Sequence, residues 1–320
     1  MSSSIIPPYR LRANKAADRE LFLSLLTRLS GTLPIEKYKY IGMGGPFLED
    51  FRLMHSRLGI QDMVCVETDE EVHKRQQFNK PFPNIQLVHS TIEDYLDSTE
   101  LESSVIVWLD YTSPNEWHEQ LERFAWATAN LSVPSIIRIT LNANPSSLGK
   151  PPEDAGADAE KLRMWRLEAF RGKIGTYFCP SDLEPSDMTR RAFGKAVLKA
   201  LKLAVEKEAL SHDREVVWPL FTHYADGQPM VTATALILDA KEGNPILKVI
   251  DEWEFYSHVD SPHTLALPAL STRERLIMES SDNPKIALGY KLPSNELEKD
   301  PYDSFAQYYR IYPHYTKIDL

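Results

Sequence analysis

Apolar residues recur along this chain in two alternating rhythms. Short β-prone runs occupy 38–41, 62–66, 85–88, 105–109 and 135–141, and between them apolar residues fall three and four apart, the spacing of one helix face. The helical pattern is plain at Leu21, Phe22, Leu25, Leu26 and Leu29, and again at Phe47, Leu48, Phe51, Met54 and Leu58. It continues over 70–78 and 116–130. The runs VIVWL at 105–109 and SIIRITL at 135–141 are almost wholly apolar, as in strands buried on both faces of a parallel sheet. Five strands in βα alternation are therefore expected.

The rhythm changes after Pro145. A loop-like stretch leads to two predicted helices within 161–208, split near Pro180 to Pro185, and then to two longer β-prone runs at 216–224 and 230–238. Asp226-Gly227 between those runs is a hairpin signal, because the turn needs positive φ. From residue 248 onward the chain is aromatic and punctuated by proline. Tyr302, Phe305, Tyr308, Tyr309 and Tyr312 fall on more than one face of a short helix, a pattern that favours packing over a base-stacking platform. The expected organisation is one domain over 1–240, with a helical insertion at about 150–212 and a C-terminal appendage over 241–320 packed on it.

Composition narrows the class. A chain of 320 residues, 42% hydrophobic, buries a large core, and its net charge of −10 argues against a protein that coats nucleic acid or lies on an anionic membrane. Cys65 and Cys179 give neither a disulfide framework nor a metal spacing, and the histidines show no paired ligand spacing, so no metal is expected. The opening MSSSIIPPYR lacks the features of a signal peptide, and no apolar run reaches membrane-spanning length, so a cytoplasmic location is expected. Charge is uneven: from Lys161 to Lys207 there are eleven Lys and Arg against five Asp and Glu. Arg191, Lys195, Lys199 and Lys202 form a helical stripe, which is either a solvated face or a contact for an anionic or nucleic-acid partner.

The candidate chemistry centres on 38–69. A β-prone run ends on Gly42-Met43-Gly44-Gly45, a helix follows, and the next strand is followed at once by Glu67. Glycines let a backbone approach a ligand closely, and an acid at the tip of the second strand accepts both ribose hydroxyls of a nucleoside. A dinucleotide fingerprint wants a third glycine where Phe47 stands, and a phosphate loop wants a lysine that Gly44-Gly45-Pro46 lacks. A nucleoside ligand without phosphates remains, and S-adenosylmethionine is the common one. Asp110 ends the fourth strand and Asn142 the fifth, where ligands of open α/β sheets sit. Equally, Asp110 suits a cap for the helix at 116–130.

On these residues the chain resembles the class I S-adenosylmethionine-dependent methyltransferases, and more narrowly the bacterial proteins called putative O-methyltransferases. The resemblance implies a Rossmann-like α/β sheet of five parallel strands plus a C-terminal hairpin whose last strand inserts antiparallel. It places Gly42, Gly44, Gly45 and Glu67 on the cofactor, with Thr91 near the adenine and Asp110 beside the methyl group; Pro46 departs from the usual third glycine. Thr91 also suits a helix cap. Asp110, Tyr111 and Asn142 are the candidates at the reacting atoms. In the resembling proteins N-terminal segments fold over the cofactor, so Arg10, Arg12, Asn14 and Lys15 would do so here, although a solvated helix start is the preferred expectation. The acceptor is unknown. The rival to an enzyme is a non-catalytic module of that fold with a protein partner in a larger complex; proteins resembling this one are sometimes found near bacterial antiviral defence genes.

Overall fold

The computed structural model describes residues 12–209, 214–239, 243–295, 297 and 299–311. The first half alternates as expected: α1 (Ala13–Leu29), β1 (Lys39–Gly42), α2 (Glu49–Leu58), β2 (Met63–Glu67), α3 (Glu70–Asn79), β3 (Ile85–His89), α4 (Ile92–Ser98), β4 (Val105–Asp110), α5 (Trp117–Asn130) and β5 (Ser135–Asn142). Then come α6 (Glu153–Gly156), α7 (Ala159–Phe178), α8 (Phe193–Ala209), the hairpin β6 (Arg214–Asp226) and β7 (Gln228–Asp239), α9 (Gly243–Asp251), β8 (His263–Leu265), α10 (Thr272–Glu279), α11 (Pro284–Leu288) and α12 (Pro301–Tyr308). Among the described residues no helix is long and apolar enough to cross a membrane.

All eight strands form one sheet in the order β3-β2-β1-β4-β5-β7-β6-β8. β1 to β5 are mutually parallel, β7 inserts antiparallel between β5 and β6, and the hairpin turns at Gly227 with φ +97°. This is the Rossmann-like α/β class expected from the alternation. Strand order reverses between β1 and β4, which opens a crevice at their carboxyl ends. The eighth strand, parallel to β6, comes from the C-terminal segment and was not foreseen, because three residues carry too little pattern.

Alternate strand residues build two apolar layers. Ile41, Val64, Val107 and Ile139 face α5, α7 and α8, whereas Tyr40, Cys65, Ile106 and Trp108 face α1, α2 and the C-terminal segment. Phe305 and Tyr308 of α12 are buried in the second layer, Tyr309 lies at the surface, and Tyr312 lies outside the described residues.

α1 departs from the amphipathic expectation. Besides its apolar positions, Asn14, Lys15, Asp18 and Arg19 are buried against the sheet. The reason is partner chemistry: Asp18 pairs at 2.6 Å with Arg138 of β5, both fully buried, and Thr222 and Thr232 donate to the same Asp18 oxygen. The Arg138 guanidinium lies 4.7 Å from the Phe22 ring and 5.0 Å from that of Trp108. Arg19 pairs with Asp50 of α2. A helix whose charges each meet an opposite charge can be buried on its polar side as well.

Candidate functional site

A cleft of about 430 Å³ lies over the carboxyl edge of the sheet, at the strand-order reversal. Taken across the sheet, its wall comes from Glu67 after β2, Met43 to Phe47 after β1, Asp110 after β4, Asn142 after β5, and Met230 and Tyr224 of the hairpin. The roof includes Arg12 and Lys15, at the start of α1.

The glycine loop is shaped by packing. A Cβ on Gly44 would lie 2.7 Å from Phe51 Cε2 and 2.8 Å from Leu48 Cδ2, so only glycine lets this loop lie against α2. Gly45 has φ +52° and open space around its Cα, the backbone a side chain disfavours and a ligand can approach. Glu67 Oε1 accepts the Asp69 amide at 2.9 Å, which holds the carboxylate at the cleft, while Asp69 caps α3 by accepting from Glu71 and Val72. Gln76 of α3 donates to the Gly45 carbonyl at 3.0 Å and Asn79 to that of Pro46 at 2.7 Å, so α3 braces the loop from behind.

Asp110 does not cap α5; its Oδ1 accepts from Lys15 Nζ at 2.8 Å, and both side chains are almost wholly buried. Burial pushes the Asp110 carboxyl up, but the Lys15 ammonium, the hydrogen bonds from Lys15 and Thr140 and the nearby Arg19 outweigh it and hold the group below the usual carboxylate range. Lys15 is placed from both sides. Asp226 Oδ2 accepts the Lys15 amide at 2.8 Å and Oδ1 accepts Asn14 Nδ2 at 3.0 Å, so a hairpin residue caps the start of α1 across the chain. Trp108 and Tyr224 bring their rings within 5.2 and 5.9 Å of the ammonium. The preferred expectation of a solvated start to α1 is therefore overturned; Arg10 lies outside the described residues.

Asn142 lines the cleft, and its Oδ1 accepts the Asn144 amide at 2.9 Å, while its side-chain nitrogen meets no acceptor among the described residues. The structure thus brings together Gly44, Gly45, Glu67, Asp110 and Asn142 on one cleft. It does not bring Gly42, Thr91 or Tyr111 there. Gly42 belongs to β1, where an added Cβ would lie 2.9 Å from the Tyr40 hydroxyl. Thr91 caps α4, its Oγ1 accepting the Asp94 amide at 2.9 Å. Tyr111, buried in the α5-side layer, donates to Glu93 of α4; burial and then Glu93 push its phenol well above the ordinary range. Residues in succession at a strand end point to opposite faces, so Asp110 and Tyr111 do not share the cleft.

Tyr224, Asp226, Gln228 and Met230 also line the cleft and were missed as site residues. The available signal was the turn itself: a strand inserted antiparallel beside β5 carries its hairpin to the carboxyl edge. The basic stripe on α8 is largely compensated. Lys195 pairs with Asp260 at 3.1 Å, Lys199 with Asp182 at 2.5 Å and Lys202 with Glu206 at 3.6 Å. Among the described residues no group of three or more His, Cys, Asp or Glu is arranged to hold a metal ion.

The family described as "Putative O-methyltransferase" matches residues 7–320. No curated protein matches the chain. Among solved structures, Trm1 from Pyrococcus horikoshii in complex with S-adenosyl-L-methionine is similar, at 13% identity and a TM-score of 0.50; the match covers 77% of this chain and 61% of that protein, so this chain spans less than two thirds of its length. A putative O-methyltransferase from Klebsiella pneumoniae matches at 11% identity over 73% of this chain and 93% of its own, with a TM-score of 0.37. The O-methyltransferase TomG from Streptomyces achromogenes, in complex with SAM, matches at 11% identity over 68% and 78%, with a TM-score of 0.36. At such identities the likeness is one of fold.

Proposed function

We propose, from the premise that this chain belongs to the family described as "Putative O-methyltransferase", that the cleft beneath Lys15 transfers a methyl group to a hydroxyl docked between Asp110 and the β6–β7 hairpin. Membership places the chain among proteins so described; the S-adenosylmethionine-dependent activity, the acceptor and the residue roles are the proposal. The observation that carries it is the cleft itself, with a glycine loop and a strand-tip acid on one side of Asp110 and an open, mixed polar and apolar wall on the other.

The residues present fit that cofactor. Gly44 and Gly45 leave the loop backbone bare at the cleft, and Glu67 is held where a carboxylate can accept two ribose hydroxyls. When bound, S-adenosylmethionine supplies an electrophilic methyl on a sulfonium. The chain's own task is then to align an oxygen for in-line attack and to manage its proton. A carboxyl held below the usual range by Lys15 is a weak base but a good hydrogen-bond acceptor, so Asp110 orients the acceptor hydroxyl rather than removing its proton early. Lys15 faces the same spot with a positive charge, which favours the oxygen as it loses its proton. The Asn142 amide and Tyr224 bound the acceptor end. An association with antiviral defence has no counterpart in the fold or in these similarities.

The test pairs calorimetry with turnover. S-adenosylmethionine is titrated into wild type and Glu67→Ala, and labelled cofactor is incubated with wild type, Asp110→Asn and panels of hydroxyl and amine acceptors. Binding that needs Glu67, with transfer to a hydroxyl that needs Asp110, supports the reading. Binding without S-adenosylhomocysteine formation on any acceptor would favour the non-catalytic module instead.

A further inference from the structure

Among the described residues the start of α1 lacks a local cap: Arg12 at the N-cap makes no side-chain hydrogen bond to the first turn, and that turn carries no acid. The first amides of a helix then need partners from elsewhere in the molecule or from water. Two distant segments supply them, and Asn14 joins the two.

Asp226, at the hairpin turn, accepts the Asn14 amide at 3.3 Å and the Lys15 amide at 2.8 Å. The Asn14 side chain uses its whole hydrogen-bonding capacity on the same neighbourhood. Its Nδ2 donates to the Ala225 carbonyl at 2.8 Å and to Asp226 Oδ1 at 3.0 Å, and its Oδ1 accepts the Leu267 amide at 2.8 Å. These partners fix which way the amide points, with two acceptors on one side and an N–H on the other. Leu267 lies 253 positions from Asn14, and both are buried. β8 brings it there, because that strand runs parallel to β6 and pairs Leu265 with Tyr224, so the chain beyond it follows β6 to the carboxyl edge of the sheet.

The consequence falls on Asp110. The groups that act on its carboxylate include Lys15 and Arg19 of α1, Thr140 of β5 and Tyr40 of β1, and Arg12, Glu49 and Glu67 share its cleft. Arg19, in the second turn of α1, is held by Asp50, and Thr140 by its place in β5. Lys15 is the partner whose position depends on the first turn. We propose that Asn14 is a positioning residue, through which the C-terminal segment sets Lys15 over Asp110. The proposal rests on the reading of Asp110 as the group that orients the acceptor, and it makes the C-terminal segment part of the transfer apparatus. Without the tie the first turn frays, the ammonium leaves the carboxylate, and burial raises the Asp110 pKa.

The test reads Asp110 directly. The full-length chain, labelled with carbon-13 at its aspartate carboxyls, is titrated by NMR as wild type, Asn14→Ala, Leu267→Pro and Lys15→Met; the Asp110 resonance is the one absent from Asp110→Asn. Leu267 precedes Pro268, which already favours extended backbone, so Leu267→Pro deletes the N–H with little change of chain direction. Asn14→Ala moves the Asp110 midpoint upward by about one unit or more, in the direction of Lys15→Met, and Leu267→Pro moves it the same way. Adding Asn14→Ala to Lys15→Met shifts it no further, whereas a general loosening of the fold would. Asn14→Leu, of similar size and without hydrogen bonds, takes the place of Asn14→Ala if that chain does not fold. An unmoved midpoint in either single variant, or a double variant shifted beyond Lys15→Met, overturns the proposal. The titration needs no acceptor, so it decides on Asn14 whether or not methyl transfer is found. Where a hydroxyl acceptor is found, single-turnover transfer falls in Asn14→Ala while S-adenosylmethionine affinity holds.

Discussion

Lys15 Nζ lies 2.8 Å from Asp110 Oδ1, joining the second residue after the start of α1 to the last residue of β4 across 95 positions of chain. The pair closes the cleft from above and decides what its central carboxylate can do. Without Lys15, Asp110 would be a buried carboxyl pushed toward its neutral form; with it, the group is an anion at every pH near neutrality.

Lys15→Met therefore leaves only the Thr140 hydrogen bond and the nearby Arg19 against the effect of burial on Asp110, and its pKa rises. The carboxyl pKa is lowered in the folded chain, so the pair contributes stability that is full above the ordinary aspartate value of about 4 and is lost as pH falls through the lower folded value. Urea unfolding measured from pH 7 down to pH 3 should show a stability loss towards acid that is steeper in wild type than in Lys15→Met, with the variant less stable than wild type mainly near neutrality. Parallel pH profiles for the two chains would mean that the pair adds nothing to the folded state.

Asp110→Asn keeps a hydrogen-bonding side chain of the same size but loses the charge. Methyl transfer should fall by about 10²-fold or more, within the range for a group that orients or deprotonates a nucleophile, while S-adenosylmethionine affinity stays near that of wild type. The paired measurement is single-turnover transfer and calorimetric cofactor binding. Loss of both together would show that Asp110 serves the cofactor instead.

Glu67→Ala removes two charged hydrogen bonds to a ribose, each worth about 1.5–3 kcal/mol, so cofactor binding should weaken by two orders of magnitude or more. The Asp69 amide loses its acceptor as well, but it sits at the surface, and the melting temperature should change little.

Asp18→Ala leaves Arg138 fully buried without its counter-charge, at a cost of about 3–5 kcal/mol in urea unfolding. A double replacement of Asp18 and Arg138 by leucine and methionine should recover part of that loss, because the pair itself carries a desolvation penalty. A single change as mild as a surface substitution would contradict the buried network.

His223 gives a second pH signature. Its folded pKa is depressed to about 4 by burial and then by Arg190, so stability is full above the unfolded value near 6.5 and declines as pH falls toward 4, by up to about 3 kcal/mol. His223→Gln should flatten that slope between pH 6.5 and 4 in equilibrium unfolding.

The alternation of β-prone and helical runs was enough to foretell five parallel strands and the hairpin, because strands buried on both faces and turns needing positive φ leave local marks such as VIVWL and Asp226-Gly227. The same local marks pointed to Gly44, Gly45, Glu67, Asp110 and Asn142, each at a strand end, where an open sheet puts its ligand. Side-chain direction and distant partnership left no such mark. Tyr111 and Asp110 are neighbours in the chain, yet one donates to Glu93 within the core and the other meets Lys15 at the cleft. Likewise, Lys15, Asp18 and Arg19 read as the polar side of a surface helix, because nothing near them in sequence indicates Asp110, Arg138 or Asp50. A hydrophobic pattern records only which residues leave water; which opposite charge awaits a buried one is decided when the sheet assembles.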